Sequence, residues 1–194
     1  MIPGPEPVPG SPGRDGGPLV GVRMPRPQPQ KPIETIVREV GRYPLAAFAF
    51  VQECIGLASE KVHGPVSPAE EAVGKWMNQH DIDLAELTAR YERGDLPPDI
   101  AEALRKVGGP ARMNRHVTGQ ELCLAIRDIA LERWGLMARA VLARWGIERT
   151  EDIGAIVFAL VDNGWLQKQP SDCLSDFDHV FSFHEAFGPS PRLT

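Results

Sequence analysis

The residues of this chain best suited to chemistry lie near its C-terminus, where Cys173, His179 and His184 carry metal-ligating side chains and Asp176 or Asp178 could supply a fourth ligand. Against a zinc site, the chain has no Cys-x-x-Cys pair, and positions 179 and 184 fall on opposite faces of a regular strand. No metal site is therefore expected. His63 and His116 are the candidate general bases, but neither has a Ser or Cys in a recognisable nucleophile setting, and no glycine-rich phosphate loop follows a strand. The acids Glu70, Glu71, Asp81, Asp83, Asp99 and Asp172 sit at helix starts or turns, where a capping role accounts for them. No catalytic residue and no cofactor is assigned. An active site assembled from distant residues stays open as a third alternative.

Two further patterns bear on binding. Trp134-Gly135 and Trp145-Gly146, each preceded by Arg, recur eleven residues apart. That is close to three helical turns, so the rings share a face if the helix is continuous. They form either an aromatic platform or, on the plainer account, two helix ends plugged by Trp with glycine turning the chain. The second pattern is the helix from Thr150 to Asn163. With Ile153, Ile156, Val157 and Leu160 on its buried face, Glu151, Ala155, Phe158 and Asp162 face outward, and these four form the candidate interaction surface. An outward Phe beside small and acidic residues suits a protein partner or a docking site for another part of the chain, such as 64–115.

These groups must be held by a largely helical fold. Ile33, Ile36, Val37 and Val40 predict a first helix that stops at Gly41, and the apolar stretch 44–62 predicts a second that runs through the core. Gly64-Pro65 and Gly108-Gly109-Pro110 bracket a helical segment, 64–115, with helices expected over 68–80, 83–93 and 97–107. The first opens on the capping box Ser67-Pro68-Ala69-Glu70. The apolar residues of these helices (Val73, Trp76, Met77, Leu84, Leu87, Tyr91, Ile100 and Leu104) are too few for an independent domain, so the segment should lean on the rest. From Thr118-Gly119-Gln120-Glu121 onward, helices are expected to Trp134, over 136–145 and over 150–163. The period then becomes two, predicting strands at Trp165 to Lys168 and His179 to Phe183 around a polar turn from Ser171 to Asp178. Three helices and a β-hairpin over 116–187 make a winged-helix-like unit, so the expected fold class is mainly α with that unit at its C-terminal end.

The flanks differ in kind. Of the first 32 residues, 10 are Pro and 6 are Gly, so residues 1–32 are expected to be a disordered tail, and 188–194 likewise. Met24 lies just before the helical pattern and is a second candidate start beside Met1. No run of about 18 apolar residues exists, which excludes a helical membrane span, and the N-terminus lacks a basic-then-apolar signal pattern. Three widely separated cysteines fit a reducing compartment, so the expected location is cytoplasmic.

Arg42-Tyr43-Pro44, Ala47-Phe48-Ala49-Phe50-Val51-Gln52 and Arg115-His116-Val117-Thr118-Gly119-Gln120-Glu121-Leu122 resemble the pattern of an uncharacterised conserved family of planctomycetes and verrucomicrobia. The stretches 130–135, 145–152, Asp176-Phe177 and 183–187 resemble it too. The resemblance spans about 33–63 and 115–187. It implies one continuous domain, with 64–115 inserted and the Pro-rich tail added, and it implies no activity.

A winged helix suggests DNA, but the charge opposes it. No Lys or Arg lies between 150 and 163, and 116–187 holds six basic residues against eleven acidic ones. A helix entering the major groove needs cations for phosphates and donors for base edges. The sequence therefore points to a non-enzymatic protein-interaction module within 33–187, with a DNA-binding regulator as the alternative.

Overall fold

The computed structural model describes residues 29–188, which are helical and contain no strand. Residues 30 and 31 lie beside residues 163–165, where the Gln30 amide donates to the Asn163 carbonyl at 3.0 Å and the Trp165 indole donates to the Lys31 carbonyl at 3.0 Å. Helix α1 (Ile33–Val40) stops at Gly41, whose φ of 66° ends the helix in the left-handed region. Helix α2 (Leu45–His63) carries the apolar stretch into the core, burying Phe48, Phe50, Val51, Cys54 and Ala58. It packs mainly along α6 (Gly119–Trp134), which starts at the expected Thr118–Glu121 capping box. A 3-10 turn (Gly135–Met137) leads to α7 (Ala138–Arg144), and α8 (Thr150–Asp162) fills the centre, with α1, α2 and α6 against it.

Asp152 locks the start of α8. Its carboxylate is buried and accepts from the Tyr43 hydroxyl at 3.0 Å, the Glu148 amide at 2.8 Å and the Arg149 amide at 3.1 Å, while Arg42 pairs with it at 2.7 Å. The α1–α2 corner is thus tied to the loop before α8. Gly146 belongs to the same joint: its φ is 76°, and a Cβ there would sit 3.3 Å from the Arg42 carbonyl oxygen.

The segment 64–115 forms its own small core. Helices α3 (Pro68–Gln79), α4 (Leu84–Arg93) and α5 (Pro98–Val107) bury Val73, Ile82, Leu87, Leu96, Ile100 and Leu104 together, apart from the main cluster. Two of these, Ile82 and Leu96, lie in the loops between helices, outside any helical period, and they complete the cluster. The join to the main body is polar. Arg115 pairs with Glu70 at 3.2 Å and donates to the Gly64 carbonyl, while the Ser59 hydroxyl donates to the Arg115 carbonyl at 3.2 Å.

The hairpin expected at 165–168 and 179–183 does not form among the described residues. A 3-10 turn (Leu174–Phe177) and the short helix α9 (Phe183–Ala186) take its place. Local side-chain bonds satisfy the backbone there: Asp172 accepts from the Gln169 amide at 2.7 Å, Asp176 from the Cys173 amide at 2.8 Å and Ser182 from the Glu185 amide. Such bonds compete with a ladder. The alternating aromatics fold onto one another instead, Phe181 stacking on Phe183 at 5.3 Å and Phe187 meeting Phe183 at 5.1 Å. The three helices α6, α7 and α8 are present and the wing is not. No helix among the described residues is long and apolar enough to cross a membrane.

Burial pushes the Cys54 and Cys123 thiols up to about 12 and, with the Asp152 carboxylate adding to it, the Tyr43 hydroxyl up to about 12. The unfolded chain ionises these groups at their ordinary values of 9.0 and 10.0. It therefore sheds protons first, and stability that is complete below pH 9 is lost as pH rises towards 12. Urea unfolding should show a steep fall in the midpoint between pH 8 and pH 11. At pH 8 a thiol reagent should modify Cys173, the exposed cysteine, and reach the buried pair only in denaturant.

Candidate binding cleft

The four outward-facing residues of α8 have separate surroundings. Glu151 lies 3.2 Å from His179 Nδ1, Ala155 packs half-buried against the main core, and Asp162 is exposed. Phe158 meets Phe177 edge-on, with ring centroids 6.3 Å apart, and the Lys168 ammonium stands 5.4 Å above its ring. Of the four, Phe158 lines a cleft; the others lie outside it. The chain that returns over this face is 165–181, rather than the inserted segment.

The cleft holds about 340 Å³ between α2, the first turn of α6, the second half of α8 and the 166–177 loop. Ile55, Leu122, Val157, Val161 and Leu166 supply its apolar wall. Phe177 anchors the loop side through two glycines. A Cβ on Gly154 would sit 2.8 Å from Phe177 Cγ, and one on Gly119 would sit 2.8 Å from its Cε2. The ring thus lies directly on the backbones of α6 and α8, an approach that any side chain larger than hydrogen blocks.

The polar groups at the cleft are largely committed to one another. His116 Nε2 donates to Asp172 Oδ1 at 3.0 Å, and His63 Nε2 donates to the His116 carbonyl at 2.8 Å. Gln169 donates to Asn114 Oδ1 at 3.2 Å, which also accepts from the His116 amide at 3.2 Å. Hydrogen bonds from the Cys173 amide and thiol hold the Asp176 carboxyl below its usual range. Lys168 differs, being exposed and without an ion pair among the described residues. The site therefore offers an apolar recess with one available cation at its mouth.

Sequence spacing could not find the His116–Asp172 pair, because its members are 56 residues apart and each sits in an ordinary turn or helix-start setting. The suspected metal ligands are dispersed: Cys173 contacts Ser175 and Asp176, His179 pairs with Glu151, and His184 is exposed on α9. Among the described residues no group of three or more such side chains converges. The two tryptophans do meet, with centroids 5.5 Å apart at 82° and with Phe50 within 5.0 and 5.6 Å of them. Arg133, held bidentate by Glu53, covers Phe50 and Trp134 at 5.7 Å. Their faces are occupied by each other at the corner joining α6 and α7. No family model, curated protein or solved structure matches this chain.

Proposed function

We propose that the protein is a non-enzymatic, cytoplasmic interaction module whose cleft beside Phe158 takes a segment of a partner protein bearing a large apolar side chain next to a carboxylate. The observation that carries this is the open apolar recess with Lys168 at its mouth, free of any ion pair among the described residues. Its volume, at the low end of ligand pockets, suits one or two side chains. The apolar group would displace water from Val157, Val161 and Leu166, while the carboxylate would meet Lys168. The mutual pairing of His116, Asp172, Asn114 and Gln169 supports a structural role for them over proton transfer. Against the DNA alternative stands α8, which is surrounded by α1, α2, α6 and the Leu174–Phe177 turn and lacks basic residues.

Selection of a displayed random-peptide library on the full chain tests this. Enriched peptides should share a large apolar residue within a few positions of Asp or Glu. They should lose tenfold or more in affinity to Lys168→Glu and to Val161→Trp, with circular dichroism unchanged. No enrichment, a basic consensus, or indifference to both substitutions overturns the proposal. Retention of duplex DNA at moderate salt would replace it with the regulator. Saturable turnover of a small molecule, abolished by His116→Ala, would replace it with an enzyme.

A further inference from the structure

Helix α7 presents a second surface that contributes nothing to the cleft. Its inner face, Ala138 and Leu142, is fully buried, whereas Ala140 and Ala143 are exposed. At about 100° per residue, the two alanines lie together at the centre of the outer face. Arg139 runs along one edge and Arg144 with Met137 along the other. Just before the helix, Leu136 and Met137 are 76% and 62% exposed, more than any other large apolar side chain described. Small residues at the centre let another backbone come close, and the flanking apolar pair supplies area to bury.

The charge on this face selects what can cover it. The chain carries a net −5, yet 133–149 contains four arginines and a single acid, Glu148. Arg133 is neutralised by Glu53, and Arg149 lies 3.9 Å from Asp152. Arg139 and Arg144 make no ion pair among the described residues. Two copies packed antiparallel through α7 about a twofold would bring each edge onto its own counterpart, Arg139 towards the other copy's Arg139 and Arg144 towards its Arg144, which sets like charge against like charge on both sides of the seam. We infer that the outer face of α7, Leu136 and Met137 with Ala140 and Ala143 between Arg139 and Arg144, docks an acidic amphipathic helix of a partner protein. The partner's small or apolar stripe packs on the alanines and Leu136. Its Asp or Glu residues, one on each side of that stripe, pair with the two arginines, which also act as hydrogen-bond forks for carboxylates.

A displayed library of helix-forming peptides, with an Ala/Leu stripe fixed and its flanking positions randomised, separates the possibilities on the full-length protein. Wild type should enrich Asp and Glu on both flanks, and the enriched peptides should bind the Arg139→Glu/Arg144→Glu variant at least tenfold more weakly. They should bind Leu136→Ser/Met137→Ser more weakly too. Binding to Lys168→Glu should be unchanged, which separates this surface from the cleft. The absence of a flank preference, or equal binding to the doubly reversed variant, overturns the inference. So does co-sedimentation with phosphatidylserine vesicles that depends on Leu136 and Met137, or reversible dimers lost on Leu136→Ser/Met137→Ser.

Discussion

Asp152→Ala should destabilise the fold by about 3–5 kcal/mol, the range for removing one partner of a buried charged network. The carboxylate is 2% exposed and gathers the Tyr43 hydroxyl, two backbone amides and the Arg42 guanidinium. Its loss leaves the buried phenol and both amides without an acceptor, each carrying a desolvation cost. Arg42 is half in solvent and loses little. Tyr43→Phe removes one bond and retains the ring, so about 1 kcal/mol is expected there. Asp152→Asn keeps an oxygen for the amides and should fall between the two. Urea unfolding at pH 7 ranks the three variants. An Asp152→Ala midpoint equal to wild type would mean that the α1–α2 corner is not held through α8.

Phe177→Ala should cost a similar amount, about 3–5 kcal/mol, because a buried aromatic leaves a cavity that helix backbones cannot close. It should also remove binding at the cleft, since this ring braces Phe158 and carries the loop bearing Lys168. The complementary change is Gly154→Ala. Its methyl would press on Phe177 Cγ at 2.8 Å and Cβ at 2.9 Å, so the ring must move outward, at about 1–3 kcal/mol. Phe177→Ala should therefore cost less in the Gly154→Ala background than alone, because the ring carbons the new methyl would press on are gone and the methyl fills part of the vacated space. Thermal unfolding of the single and double variants reads that coupling, and purely additive effects would contradict direct packing of ring on glycine.

The helices were legible where a local rule decides them. Ser67 with Glu70 and Thr118 with Glu121 form the capping boxes that their spacing announces, and Gly41, Gly94 and Gly108 end helices in the left-handed conformation. Residues 165–187 misled because apolar alternation there is shared by two arrangements. Phe181 and Phe183 keep the i, i+2 spacing of a strand, yet their rings stack at the start of α9, and the Ser182-x-x-Glu185 spacing marks the helical choice. Phe158 shows the limit of amphipathicity. Helical period says which residues face away from the nearest helices, but it carries no information about a later loop that comes back over them. The same holds for Ile82 and Leu96, which fill the small core from loops, and for His116 and Asp172, which meet only through the tertiary fold.

The most direct test of the cleft is a nuclear magnetic resonance titration of the full chain with the tightest-binding peptide selected on it. Amide shifts centred on Leu122, Val157, Phe158, Val161 and Leu166 to Lys168, and absent with Val161→Trp, are the expected result. Shifts confined to α7 or to the Pro68–Val107 helices, with the cleft amides unmoved, would contradict the assignment of binding to Phe158 and Lys168.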